Sequence, residues 1–334
     1  MSEALPDFKL LQPANVKQAV TDLQNNPSAR LYAGGTDLMV NMRRCLVEAQ
    51  TLVDISTIPD LNRLEFNQAS LFIGAAVTLR KVIDNPQIAK SYPAVHQACL
   101  SIAGPGHREV ATVGGNLCLD TRCIYYNQSH WWRKANDFCL KYKGDVCHVA
   151  PTKKQCRAAY SGDLAPALMV HGARLEIAGP DGHRHINLHA LYNEDGADHL
   201  ELAPAEMIVG VYLPPARAVS DYKKVRIRGA IDFPLAGVAI SCRKSAARGY
   251  DFTIAITGTN SCPVLMELPN QLTDNDEVDG FFAALAKQVQ KQVSPLRTTT
   301  TAAHYRRLAI SARTEKLARQ LWQQLKTPPT DKGK

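Results

Sequence analysis

Several features that would place a protein quickly are missing from this sequence. Its 334 residues contain no run approaching the roughly 18 to 20 consecutive apolar residues that span a bilayer. The opening stretch, MSEALPDFKLLQPANVKQAVTDLQNNPSAR, lacks the basic start and apolar core of a secretory signal. Nine cysteines in this length fall far below the density of a disulfide-stapled domain. These absences lead us to expect a soluble chain in the reducing cytoplasm. There is no Gly-x-Gly-x-x-Gly fingerprint, no phosphate loop ending in Gly-Lys-Ser/Thr, no repeat of supersecondary length and no low-complexity tract. The net charge of +8 is scattered rather than blocked, which argues against a nucleic-acid module and for a basic surface that docks an acidic partner. No acid–base or nucleophilic constellation emerges, so no catalytic residue is assigned to this chain.

What is present reads as α+β. NVKQAVTDLQNN has helical periodicity, ARLYAGGTDLMVNMRR reads as strand, glycine turn and helix, and TLVDIS as a short buried strand. LFIGAAVTLRKVID suggests strand then helix, PAVHQACLSIAG a helix stopped by glycine, and REVATVGGNLC an extended run into a second glycine turn. Farther on, GARLEIAGPDGHRHINL reads as two strands about a turn, FPLAGVAISCR with DFTIAITGTNSCPV as a hairpin, and VDGFFAALAKQVQKQV and TAAHYRRLAISARTEKLARQLWQQL as helices. The prolines of VYLPPARAVS make 215 to 220 the expected linker, and TPPTDKGK a frayed tail. The expected division is 1–58, 59–214 with an insertion at 122–157, and 221–326.

The paired glycines of LYAGGTDL and ATVGGNL suit close approach of backbone to a ligand, and their successive amides suit phosphate oxygens. With SGDLAPALM and EMIVGVYLP following in order, the chain resembles, from end to end, the FAD-binding medium subunits of molybdenum hydroxylases, the xanthine dehydrogenase and carbon monoxide dehydrogenase flavoproteins. The resemblance implies a two-domain FAD-binding fold of the vanillyl-alcohol-oxidase type, closed by a C-terminal α+β domain. It implies that Leu31, Tyr32, Ala33, Gly34, Gly35, Thr36 and Asp37 line one side of the FAD. Ala111, Thr112, Gly115 and Asn116 would meet it from the second domain. It places Asp163 near the cofactor, although an aspartate there also reads as a helix N-cap. Ile208 and Lys224 would lie near the isoalloxazine, where a cation steadies a reduced, anionic flavin; read alone, Lys224 is a solvated strand lysine.

Of the other cysteines, Cys45, Cys99, Cys118, Cys242 and Cys262 read as small buried hydrophobes. Four remain, Cys123, Cys139, Cys147 and Cys156, separated by fifteen, seven and eight residues in a polar loop that gives no packing reason to collect thiols. The spacing lacks the close pairs of structural zinc and is not a ferredoxin pattern, so zinc and an iron–sulfur cluster both stand. The insertion, with TRC, YNQS, WWR, CLKYKGD and CHV, resembles that of the 4-hydroxybenzoyl-CoA reductase β subunits, which implies that these four cysteines hold a 4Fe-4S cluster. His148 is expected to be a bystander, and Trp131 and Trp132 to shield the cluster or seal a subunit contact. The resemblance further implies a large molybdopterin subunit, a small subunit with 2Fe-2S clusters, a ferredoxin-like carrier and a dimer of heterotrimers. The substrate would be an aromatic CoA thioester, or in the oxidative direction an aldehyde, xanthine or heterocycle. A self-sufficient flavin oxidase and a zinc-stabilised binding module are the competing classes.

Overall fold

The computed structural model describes residues 4–67, 70–246, 249–273, 277–297 and 301–327. Three sheets organise it. The first is parallel, with β3 (Thr51–Asp54) between β1 (Lys9–Leu11) and β2 (Arg30–Tyr32). Every residue of β3 is buried, the apolar Leu52 and Val53 being flanked by the polar Thr51 and Asp54, so the strand shows no apolar–polar alternation. The helix Val16–Asn25 covers this sheet with Val16, Ala19, Val20 and Leu23. Asn15 caps it, its side chain accepting from the Gln18 amide at 2.9 Å.

The second sheet is antiparallel, in the order β4 (Leu64–Phe66), β5 (Leu71–Gly74), β8 (Met207–Leu213), β6 (Arg174–Gly179), β7 (Gly182–Asn187). Between β5 and β6 the chain leaves the sheet for the short helices, the second glycine segment and the cysteine loop. The third sheet runs β9 (Val219–Val225), β10 (Ala236–Lys244), β11 (Tyr250–Thr257), β12 (Val264–Gln271), all antiparallel, the expected hairpin being β10–β11. Two helices cover it, Val278–Gln292 through Phe282, Leu285 and Val289 and Ala303–Lys326 through Ile310, Leu317 and Leu321, each set at helical spacing. Tyr222, Ala239 and Ala255 of this sheet belong to the core of the second unit. Among the described residues no helix is long and apolar enough to cross a membrane.

Two expectations change, and a third is untested. The segment expected as a linker is shorter than 215–220, because β9 already begins at Val219. Cys45 is exposed and has a left-handed backbone, and Cys118 and Cys262 are only half-buried, so just Cys99 and Cys242 are fully buried small hydrophobes. The tail at 328–334 lies outside the described residues.

One half-buried group gives the fold a pH signature. His171 packs against the edge of Tyr92 at 5.1 Å, and its Nε2 is buried with no partner among the described residues. Burial lowers its pKa from 6.5 to about 4. Between those values the unfolded chain binds a proton that the folded chain refuses, so stability is complete above pH 6.5 and lost as pH falls towards 4. Chemical denaturation across this range is expected to show a fall on the order of 2 kcal/mol from this site. His171→Leu should flatten the slope; an unchanged slope would assign it to other groups.

Candidate functional site

The first glycine turn follows β2 directly. Gly35 has φ +66°, a left-handed conformation that only glycine adopts without strain. A Cβ at Gly34 would lie 1.9 Å from the Val110 carbonyl oxygen, so here the first unit packs backbone to backbone on the second. The amides of Gly34, Gly35 and Thr36 have no partner among the described residues, and all three residues line one large cleft. Asp37 closes the turn, held by Arg122 from the second unit and by the Asn41 side-chain amide at 2.8 Å. Burial raises its carboxyl pKa, and the Arg122 charge opposes the shift.

The second segment differs from expectation. ATVGGNL is not an extended run into an open turn but a capped helix, Val113–Leu117. Thr112 Oγ1 accepts from the Gly115 amide at 3.1 Å, the Gly114 amide donates to Ala75 O at 2.8 Å, and the Asn116 amide donates to Thr112 O at 3.0 Å. These amides are satisfied internally, so the turns are not equivalent: the first offers free donors, the second a bare surface. Gly114 is needed for packing, since a Cβ would come within 2.9 Å of the Ala75 methyl, whereas Gly115 is exposed to the cleft.

Asp163 stands at the N-cap position of Leu164–Met169 yet makes no capping bond. Asn116 supplies it, its Oδ1 accepting from the Leu164 amide at 3.1 Å. The Asp163 carboxylate accepts instead from Tyr222 Oη at 2.5 Å and Lys224 Nζ at 2.9 Å. Lys224 is thus not solvated: its side chain is 3% exposed, and it also donates to Ser101 O at 3.0 Å. Burial raises the Asp163 pKa against the pull of Lys224. Lys224→Met would leave a buried carboxylate without its cation, a cost of about 3 kcal/mol at neutral pH. Thermal unfolding should show part of that loss recovered as pH falls and Asp163 takes up a proton; a pH-independent deficit would mean that packing alone was lost.

Leu31 to Asp37 form one wall of the cleft, and Ala111, Thr112, Gly115 and Asn116 the other. Asp163 and Ile208 also line it, while Lys224 stands behind Asp163 without reaching the cleft. The cavity measures about 960 Å³, at the upper end of the range for single small-molecule sites and large enough for a dinucleotide. Residues 6–216 match the family model of the FAD binding domain in molybdopterin dehydrogenase. The chain belongs to this family. The family is one of FAD-binding domains, and the free amides of the first turn are of the kind that suits a pyrophosphate.

Relatives named as FAD-binding subunits align with much of this chain. The xanthine dehydrogenase FAD-binding subunit of Escherichia coli O157:H7 is 25% identical over 309 residues, 91% of this chain and 92% of that protein. The aldehyde oxidoreductase FAD-binding subunit PaoB of Escherichia coli K12 is 32% identical over 233 residues, 66% of this chain and 73% of that one. The solved carbon monoxide dehydrogenase of Hydrogenophaga pseudoflava contains a chain that shares the α+β fold, with a TM-score of 0.77 at 21% identity over 96% of this chain and 99% of that one. None of these three is a reductase of aromatic CoA thioesters.

Sequence reading missed much of the FAD cleft. Arg122 bonds Asp37, 85 positions away, and lies 4.4 Å over the Phe233 ring from the third unit. No spacing rule links residues brought together from three units, and the only cue was a lone arginine before Cys123.

The cysteine loop folds onto the first unit beside the FAD cleft. Tyr126 Oη donates to Leu46 O at 2.9 Å, Arg133 Nη2 to Cys45 O at 2.6 Å, and Tyr142 Oη to Glu48 at 2.9 Å. Cys123, Cys139, Cys147 and Cys156 all line one small cavity, together with His148. Cys139, Cys147 and Cys156 are buried and Cys123 half-buried. Burial pushes the thiol pKa of Cys123 up, to which the neighbouring Cys139 and Cys147 add, and that of Cys156 to about 11. Among the described residues no three His, Cys, Asp or Glu groups gather closely enough for a single metal ion. Arg133 is 1% exposed, and its Nε and Nη1 have no partner among the described residues. It lies 4.5 Å over the Tyr142 ring, a buried cation that suits a nearby anionic group. Phe138, next to Cys139, has φ +57°, a strained conformation for an aromatic residue. Trp131 is 69% exposed and so shields nothing in this chain.

Proposed function

We propose that this chain is the electron-transferring FAD subunit of a molybdenum hydroxylase complex, with a 4Fe-4S cluster held by Cys123, Cys139, Cys147 and Cys156. The FAD cleft, with its unpartnered amides at Gly34, Gly35 and Thr36, carries the reading. FAD, when bound, exchanges electrons singly or in pairs, which lets it join one-electron carriers to a two-electron reaction. Gly34, Gly35 and Thr36 hold the pyrophosphate by donating amide protons. Leu31, Tyr32, Ala33 and Asp37 wall its side, and Ala111, Thr112, Gly115 and Asn116 close on it from the second unit. Asp163 and Ile208 face the isoalloxazine. Lys224 acts there only through Asp163, which neutralises it.

Four thiols line one cavity, and their wide spacing in sequence suits a polynuclear cluster better than zinc, which recruits cysteines in close pairs. Arg133, buried and with its Nε and Nη1 unpartnered among the described residues, suits a negatively charged thiolate cluster. A large molybdopterin subunit performs the substrate chemistry, and a small subunit with 2Fe-2S clusters connects it to the FAD, within a dimer of heterotrimers. The names of the relatives favour a dehydrogenase acting on an aldehyde, xanthine or heterocycle. The four-thiol cavity favours a second reading, 4-hydroxybenzoyl-CoA reductase fed by a ferredoxin-like carrier.

Anaerobic purification of the natural complex tests both. Released FAD with iron in excess of the 2Fe-2S clusters is expected. An aromatic CoA thioester that oxidises reduced methyl viologen would select the reductase, and an aldehyde or heterocycle that reduces a dye would select the dehydrogenase. A complex without flavin would end the proposal.

A further inference from the structure

Two side chains, Tyr126 and Lys141, line both the FAD cleft and the thiol cavity. They are the wall between the two sites. The Tyr126 ring is 4% exposed and packs with Leu46 and Cys139, its hydroxyl donating to Leu46 O at 2.9 Å. Lys141 Nζ stands 4.6 Å from the centre of that ring. Its side chain is 6% exposed, and it is anchored by Asp120 at 2.6 Å and Thr121 O at 3.2 Å. The other lysines of the loop, Lys134, Lys143, Lys153 and Lys154, are exposed, where water and salt screen their charge. Lys141 alone combines burial with a place on both cavities.

We propose that Tyr126 and Lys141 are the partition through which the loop's cluster and the FAD exchange electrons, and that Lys141 sets the cluster's potential. The inference rests on reading the four thiols as a 4Fe-4S site. Tyr126 fills the wall with a closely packed ring in place of water. Lys141 lines the thiol cavity and its ion-pair partner Asp120 does not, so the pair stands with its positive end nearer the thiolates, a fixed dipole that favours the cluster with its extra electron. Asp120 holds the ammonium in place without standing in the thiol cavity itself. In the reductase direction each passage takes one electron from the cluster and gives one to the FAD. No bond of either side chain forms or breaks, and the Tyr126 proton stays on its oxygen. Two passages, with two protons from solvent, complete the reduction of FAD, and a reduced one-electron iron–sulfur protein reloads the cluster.

The test uses the intact complex, prepared anaerobically, with iron and FAD assayed in every sample. Lys141→Gln is expected to keep both cofactors and to move the cluster's midpoint potential to a more negative value in an EPR-monitored titration, and Lys141→Arg to restore it. Tyr126→Leu is expected to slow flavin reduction by the pre-reduced cluster several-fold in stopped flow, leaving the potential in place, while Tyr126→Phe keeps the rate. An unchanged potential in Lys141→Gln, or a wild-type rate in Tyr126→Leu, overturns the proposal. If Tyr126→Leu sheds its iron, the Lys141 pair decides alone. A wild-type complex with FAD but no loop iron would instead remove the cluster reading itself, a result separable because it appears before any substitution is made.

Discussion

Gly34→Ala is expected to release the FAD. The new methyl carbon would sit 1.9 Å from the Val110 carbonyl oxygen and 2.5 Å from its carbon, both backbone atoms that cannot rotate away. The first turn would have to withdraw from the second unit, at an overpacking cost of about 1–3 kcal/mol, and carry the free amides of Gly35 and Thr36 out of register with the opposite wall. A loss of about 2 kcal/mol in FAD affinity is more than tenfold in occupancy at limiting flavin. Heat-released flavin per chain measures it. Gly115→Val is the companion: its side chain projects into the cleft and meets only Thr112 Oγ1, 3.0 Å from the new Cβ, so the fold should survive while the flavin is excluded. Full FAD content in both variants would place the pyrophosphate elsewhere.

Cys139→Ser is expected to remove the loop's iron and spare most of the FAD. Cys139 is buried in a tight turn, where a Cβ on Gly144 would lie 2.8 Å from its amide. A serine oxygen is a poor substitute for a thiolate at iron. The flavin should remain because both glycine segments lie outside the loop, although the shared wall predicts some weakening. Metal analysis with the visible spectrum reads both cofactors at once. Joint loss of iron and flavin would show that the loop and the cleft fold as one unit.

Much of this was legible in the residues. The helices Val16–Asn25 and Ala303–Lys326 follow from local pattern because each buries a stripe at helical spacing, β3 and the β10–β11 hairpin from short runs buried on both faces, and the first turn from its paired glycines. ATVGGNL was not legible as a helix: two glycines argue against helix, and only the Thr112 cap and the Ala75 carbonyl, supplied by β5's continuation, override them. Nor was the burial of Lys224. A lysine in an alternating strand reads as solvent-facing until Asp163, 61 positions earlier, is brought beside it.

The sequence by itself determined the α+β class, the first glycine turn and the set of four thiols, since each depends on residue type and on neighbours a few positions away. Tertiary structure alone decided which amides remain free, that Asp163 answers Lys224 rather than capping a helix, and that the cysteine loop shares a wall with the FAD cleft. Those relations join residues dozens of positions apart, and distance through space is set by how the three sheets pack against one another, which no local periodicity encodes.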